Sequence, residues 1–405
     1  MILVPVIFGL LGFAVDLGRL YLIRAELKTA ANAMALAAAE ELIGTEAALD
    51  NATALALASL NSDSGYGNKY NFGGLSIGQT TGLLSSEIPT PSYYEKAADA
   101  LGTGEEGDSG GTAGGTTAKY AKVTVTADAP LLFWSFLSLG SERKTPVQAQ
   151  AVAGISAPLC TACGIEPLAI APINSEDTTD FGYTVNTKYT FAFYCTGQPA
   201  PTQIAGPVIP YLILNRYNSE ATVFPDANTQ LYRIGAQGLP PSTSAALSCV
   251  KVNSEDGEAI WESAAPVACN QSQPSVVTSL LCGLASRFES AVPDACTNIA
   301  EVDSFQAYLP DTDLSDLDEY TAYTGNSRRL ITVAVVDALS SGGGMVVQAF
   351  RQFLLEPNPN TTTVNPSDLN GRFSVLYIGS VAPIKQGRFD GCQLAVGPGK
   401  VVLHQ

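Results

Sequence analysis

The chain has 405 residues, of which 46% are hydrophobic, so it is long enough for two or three domains and apolar enough to bury a core. Lys and Arg total 21 against 38 Asp and Glu, and the net charge of −17 argues against binding to nucleic-acid phosphates. The single histidine, His404, leaves little material for histidine catalysis or for multi-histidine metal sites, and the sequence predicts no enzyme.

The N-terminal part of the chain predicts one helix of about 43 residues. An apolar run over residues 1–15 is interrupted at Asp16–Arg19 and then resumes. The whole stretch Met1–Ile23 is long enough to cross a membrane, and a cleaved signal peptide is the alternative. The helical pattern continues through an alanine-rich segment to Gly44, and a second helix runs to about Leu60. Residues 1–60 therefore form the first predicted domain.

One stripe of the long helix is a candidate assembly face. Small and apolar residues on such a stripe let helices approach closely, either in lipid or in the core of a filament. The stripe packs against the protein's own domain or, in addition, against partner helices, so self-association and contact with a membrane are both expected. The residues at the a and d positions of this seam are Leu20, Ile23, Leu27, Ala30, Met34 and Ala37.

A loop-rich segment with a small sheet follows the helices and forms the second predicted domain, residues 61–156. Apolar and polar residues alternate over Ala121–Ala127, which predicts a half-buried strand. A short apolar segment, Leu131–Leu137, separates this strand from another over about Pro146–Ile155. The pattern favours an antiparallel pair.

Residues 157–405 form the third predicted domain, which is β-rich and contains every cysteine. Short apolar runs predict strands separated by turns, and residues 276–290 predict a short helix. An even number of cysteines in a loop-rich segment predicts up to four disulfides in an oxidising compartment, with the pairing left open. The predicted strands are 188–195, 206–214, 330–336, 345–355 and 373–378. The cysteines are Cys160, Cys163, Cys195, Cys249, Cys269, Cys282, Cys296 and Cys392.

Two segments together resemble the TadE/TadG-like proteins of bacterial tight-adherence (Tad/Flp) pilus systems. The first is Phe13–Tyr21, which leads into Glu26–Ala33 and the polyalanine stretch. The second combines Val123–Val125, the apolar segment Pro130–Leu139 and the closing strand Gln148–Gly154. The resemblance covers about residues 1–156. It implies a transmembrane or filament-core helix and a pilin-like sheet. The short strands and cysteines after residue 156 predict a disulfide-stabilised, sandwich-like domain, so the whole chain is expected to be an α+β protein.

The same resemblance implies a structural component of a Tad/Flp-type pilus, as a minor pilin, an assembly factor or a filament subunit. Such a protein would associate through its N-terminal helix and display the β-rich domain for surface adhesion. It would be anchored in the inner membrane or lie in an extracellular filament. The alternative is a membrane-anchored adhesin or calcium-binding module outside any filament. Pro5 stands where type IV pilins carry a glutamate, so processing by a prepilin peptidase is not expected.

Two further motifs in the sequence have simpler interpretations. Residues 74–78 match the GxSxG pattern of a nucleophile elbow, but the turn-rich context and the terminal histidine favour a chance match. An acidic run after residue 310 lacks the glycine and glutamate positions of an EF-hand. It is a solvated acidic turn or a candidate calcium site formed by Asp311, Asp313, Asp316 and Asp318. No other cofactor is expected.

Overall fold

The chain forms two compact units. The computed structural model describes residues 3–59, 85–86, 90–103, 113–131, 144–194, 201–214, 249–252, 258–259, 275–291, 293–297, 310–340, 345–389 and 392–404. Unit 1 comprises Met1–Ile155 and Val401–Gln405, and unit 2 comprises Ser156–Lys400. The structure therefore joins the first two predicted domains into unit 1 and adds the C-terminal residues to them.

The helices and strands follow the sequence patterns closely. The helices are α1 Leu3–Glu40, α2 Ala48–Ala58, α3 Ala97–Leu101 and α4 Ser275–Ala285. The strands are β1 Ser85–Ser86, β2 Ser92–Tyr94, β3 Tyr120–Pro130, β4 Lys144–Ile155, β5 Thr161–Cys163, β6 Leu168–Ile170, β7 Lys188–Phe193, β8 Val208–Ile213, β9 Cys249–Lys251, β10 Glu258–Ala259, β11 Leu330–Val336, β12 Met345–Glu356, β13 Phe373–Gly379, β14 Gln386–Arg388 and β15 Val401–His404.

Unit 1 packs α1 against an antiparallel sheet. β3 and β4 pair along their whole lengths, from Tyr120 opposite Gly154 to Pro130 opposite Lys144. β1 and β2 pair with the other edge of β3, and β15 pairs with the other edge of β4. The predicted alternation in β3 is confirmed, because its odd-numbered residues 121–129 are buried. The structure shows the predicted order of long helix, second helix and small antiparallel sheet.

Small side chains make up most of the core of unit 1. Alanines on α1 and on the facing strands let the helix lie close to the sheet, and a few larger side chains fill the remaining space. The buried helix residues are Ile23, Leu27, Ala31, Met34, Ala35, Ala38 and Ala39, and the main sheet residues are Ala121, Val123, Val125, Ala127, Ala149, Ala151 and Ala153.

Gly154 is a glycine because an aromatic ring lies across it. A methyl group at this position would collide with the ring of Tyr120, its partner on β3. The same ring meets the imidazole of His404 edge-on, with 5.1 Å between the ring centroids. The chain's single histidine is thus part of the packing at this end of the sheet.

Six strands of unit 2 form a closed ring. The order is β11, β12, β13, β7, β8 and β6, and β6 pairs again with β11. Two of the pairs, β6 with β11 and β7 with β8, are parallel, and the others are antiparallel. Side chains from all six strands and from α4 form one core cluster. Outside the ring, β5, β9 and β14 form a three-stranded sheet.

The ring differs from the sandwich-like arrangement that the sequence predicts. β12 is long enough to pair with β11 on one edge and with β13 on the other, and a register shift at Gln352 and Phe353 lets β13 turn towards β7. Aromatic residues fill the core of the ring, where Phe191 contacts the rings of Phe353 and Phe373. Closure leaves these strands without the open edges of a sandwich.

Among the described residues of unit 2, three disulfides are present, which confirms cross-linking in this β-rich region. They join Cys160 to Cys392, Cys163 to Cys249 and Cys282 to Cys296. Cys160 and Cys163 are separated by only two residues, but each pairs with a distant cysteine and not with the other. Cys195 and Cys269 lie outside the described residues, as do the GxSxG stretch at 74–78 and residues 132–137 of the predicted apolar run Leu131–Leu137.

Candidate functional site

The N-terminal half of α1 exposes large apolar side chains. Leu10 is 64% exposed, Leu11 is 60% exposed and Tyr21 is 75% exposed. A folded monomer gains nothing from such exposure, and contiguous exposed apolar surface marks a place where another surface is bound. We call this segment the apolar segment; its exposed members are Ile7, Leu10, Leu11, Phe13, Val15, Leu17, Tyr21 and Leu22.

The seam predicted as an assembly face lies largely inside unit 1. Ile23, Leu27 and Met34 are fully buried in its core, and Leu20 packs at the margin of the same cluster. Ala30 and Ala37 are partly buried. The physical reason is that the sheet offers an apolar face of matching length, so this stripe is covered by the protein's own strands. The surface left for a partner lies before Ile23.

The charged residues of α1 just after Ile23 have different environments. Lys28 donates a hydrogen bond from Nζ to the backbone carbonyl of Gln150 on β4, at 2.5 Å. Glu26 is partly buried, and neither of its carboxyl oxygens is exposed or hydrogen-bonded. Burial raises the pKa of Glu26 from 4.5 to about 7. The uncompensated carboxyl is therefore the unusual group on this helix.

The predicted calcium ligands Asp311 and Asp313 are occupied by the protein's own donors. Asp311 Oδ2 accepts the hydroxyl of Tyr323 at 2.5 Å and the backbone N–H of Arg329 at 2.8 Å. Asp313 accepts the backbone N–H groups of Ser315 and Thr324, each at 3.0 Å. Burial opposes the ionisation of Asp313, but these hydrogen bonds outweigh it and lower its pKa.

The other two candidate calcium ligands, Asp316 and Asp318, pair with a lysine instead of pointing to a common metal position. Lys188 Nζ lies 2.9 Å from Asp316 and 3.0 Å from Asp318. Behind them, buried Glu356 accepts the N–H of Leu317 and faces Arg329, and burial raises the pKa of Glu356 to about 8. Within the described residues, no cluster of carboxylate, histidine or cysteine groups is arranged to hold a metal ion. The acidic run is a loop held against the ring of unit 2 by these hydrogen bonds and ion pairs.

Sequence reasoning missed two functional features. The first is the boundary at Ile23: before it, α1 exposes eight large apolar side chains, although Gly12 and Asp16 are buried, and after it the helix packs on the sheet. The cluster of Arg24, Glu26 and Lys28 is a signal for it, because charges mark the end of an apolar run. The second is the set of buried charges in unit 2, including Arg287 and Arg329, which no local pattern distinguishes from surface charges.

Comparison with known proteins adds one match. No curated protein and no solved structure matches the chain. In the described part of the chain, no helix combines the length and the apolar character needed to cross a membrane. The family model Tad, described as putative Flp pilus-assembly TadE/G-like, matches residues 1–41. The match ends one residue after α1, so the N-terminal segment of this chain is similar to the TadE/G-like pilus-assembly family over that helix.

Proposed function

We propose that this protein is a structural component of a Tad/Flp-type pilus or pilus-like filament, which it joins through the apolar segment of α1. The observation that carries the proposal is the exposure of eight large apolar side chains over Ile7–Leu22, in the part of the chain that the family model matches. Burying such side chains stabilises association by about 25 cal/mol for each Å² of apolar surface removed from water.

The division of α1 supports an intermolecular role for its first half. Its second half, from Ile23 onward, is fixed on the sheet of unit 1 and gives the helix a rigid base. The first half then presents its exposed apolar side chains to other molecules, which suits packing against the corresponding helices of other subunits. The proposed partners are further copies of this chain or other pilin-like subunits.

Unit 2 is proposed as the part that the filament displays for surface adhesion. Its disulfides suit an oxidising environment outside the cytoplasm, where thiols are not kept reduced. Its closed ring leaves the core strands without free edges, which protects an exposed domain from unwanted strand pairing. The surface that it binds is left open by this proposal.

The test places charge on the apolar segment. We expect the double variant Leu11→Glu/Phe13→Glu to disappear from filaments in electron micrographs of cells that carry it. Leu369→Glu is the matched control, because Leu369 is 54% exposed on unit 2 and its substitution should leave assembly unchanged. Native disulfides in both variants show that unit 2 has folded. Normal filaments with the double variant would overturn the proposal.

A membrane-anchored adhesin is the second candidate, because a membrane also covers an exposed apolar helix. Anchoring in the inner membrane before assembly is compatible with either function. A photo-reactive residue in place of Leu10 separates the two. Cross-links to pilin-like helices support the filament, whereas recovery of the protein only with membranes, with cross-links to lipid alone, supports the anchored adhesin.

A further inference from the structure

Glu26 lies where α1 begins to pack on its sheet, and its carboxyl group has no hydrogen-bond partner among the described residues. Both oxygens are shielded from solvent and make no hydrogen bond. Ile23 and Leu27, its neighbours on the packed face, are completely buried. An ionised carboxylate in such a place loses its hydration without gaining a compensating contact, which is unfavourable.

The helix itself offers no cation at the right spacing. Side chains meet along a helix at three and four residues, and these positions around Glu26 hold Leu22, Ile23, Thr29 and Ala30. The Thr29 hydroxyl donates to the carbonyl of Ala25. Arg24 and Lys28, at two residues, lie on other faces, and Lys28 is bonded to Gln150.

Among the residues that the structure describes, the elements packed most closely on α1 also place no cation beside Glu26. These elements are α2, β3, β4 and β15. The strand side chains that pack against the helix are apolar ones such as Val123, Ala151 and Leu403. The only charged residue of α2 is Asp50, a carboxylate of the same sign. On β2, the Tyr93 hydroxyl is already bonded to Thr53, at 2.8 Å.

We propose that Glu26 makes the seating of α1 on its sheet depend on pH, with the helix seated when Glu26 is protonated and loosened when it is ionised. This inference concerns packing within unit 1 and does not depend on whether the chain enters a filament. Loosening would free the apolar stripe that starts at Ile23, and the length of helix available to a partner would then change with pH.

The sign of the effect follows from the two states of the chain. Burial raises the pKa of Glu26 in the folded protein to about 7, above its ordinary value of 4.5. The folded state therefore binds the proton more tightly than the unfolded state. The stabilisation is fully present below pH 4.5 and is lost as the pH rises through about 7.

Hydrogen exchange of the full-length protein in detergent micelles tests the proposal. We compare amide protection over residues 27–40 at pH 5.5 and pH 8.5, after correction for intrinsic exchange rates. In the wild type, protection should fall by about tenfold or more at the higher pH. In Glu26→Gln, which cannot ionise, protection should be the same at both values.

Two further variants keep the test decisive. Glu40→Gln is the matched control, because Glu40 is exposed at the end of the same helix and should keep the wild-type response. Glu26→Met removes the ionisable group with an apolar side chain of similar length, and it serves if the glutamine variant does not fold. A wild type without pH dependence, or a Glu26 variant that retains it, would overturn the proposal.

Discussion

Arg287 and Glu166 form a buried ion pair that continues the hydrogen bonding of β11 beyond the end of β6. β6 pairs with β11 only at Ala334 and Val335. Beyond this point, Arg287 Nη1 donates to the carbonyls of Arg328 and Leu330, at 2.7 and 3.0 Å. Glu166 Oε2 accepts the N–H of Thr332 at 2.8 Å, and its other oxygen pairs with Arg287 Nη2. These two side chains thus extend the hydrogen bonding of β11, beside the backbone N–H of Glu166, which donates to the carbonyl of Thr332 at 3.0 Å.

Removing one partner of this pair should destabilise unit 2 strongly. We expect Arg287→Met to lower the free energy of unfolding by about 3–5 kcal/mol, because it leaves the Glu166 carboxylate buried without a counter-charge. Urea denaturation followed by fluorescence measures the loss. Arg388→Met is the control, since Arg388 is exposed on β14 and its loss should change stability by about 0.5 kcal/mol or less. Equal effects of the two variants would contradict the assignment.

Reduction of the disulfides should unfold unit 2 and spare unit 1. The bridges Cys160–Cys392 and Cys163–Cys249 close loops of 232 and 86 residues, worth about 5.5 and about 4.5 kcal/mol respectively in the loop-entropy model. Their sum is comparable to the roughly 5–15 kcal/mol net stability of a typical domain. Limited proteolysis with and without reductant, with fragments mapped by mass spectrometry, should release peptides from 160–392 only after reduction. Equal protection in both conditions would refute this expectation.

Calcium should leave the melting temperature unchanged, whereas loss of an acidic side chain should lower it. Asp311 and Asp313 already accept hydrogen bonds from the protein, so calcium would have to displace them. We expect no shift on adding calcium or EGTA. Asp311→Asn should destabilise the protein by about 2 kcal/mol, because Tyr323 and Arg329 lose a charged acceptor. A melting temperature that rises with calcium would restore the metal-site hypothesis.

A truncation of α1 that ends before Ile23 and a truncation that extends past it should have opposite effects on the folding of unit 1. Removing residues 1–22 takes away exposed apolar surface, so the shortened protein should be soluble and should keep unit 1 folded. Removing residues 1–44 also takes away the side chains that cover the sheet, including Leu27 and Met34, and should expose an apolar face. Size-exclusion chromatography and circular dichroism distinguish a folded monomer from an aggregate. Two truncated proteins with the same behaviour would contradict the division of α1.

Local patterns predicted most elements because hydrophobic periodicity reports which face of a helix or strand is covered. The strand at Leu330–Val336 appears with its predicted bounds, and α1 runs from Leu3 to Glu40 within its predicted span. Periodicity does not report what covers that face. The sequence therefore leaves two possible partners for the seam containing Leu27 and Met34, namely the protein's own domain and the helices of other subunits.

Features that depend on contacts between distant parts of the chain could not be predicted from the sequence, for a different reason. The short run Val401–His404 carries no signal of its partner, since β4 lies far away in the chain. Ring closure depends on β13 pairing with two strands, which only the complete fold determines. Glu26, Arg287 and Glu166 are charged residues that statistics assign to the surface, and burial becomes visible only with the packing around them.

The direct pairing of Ile155 with Val401 also sets the order in which the protein is completed. A ribosome must make all of unit 2 before it reaches β15, so every chain still being synthesised has a β4 edge without its last neighbour. An exposed edge of this kind is a template for pairing with another chain. Newly made chains are therefore most vulnerable to mispairing until β15 has emerged, and damage to Val401–His404 acts on the sheet that packs against the N-terminal helix.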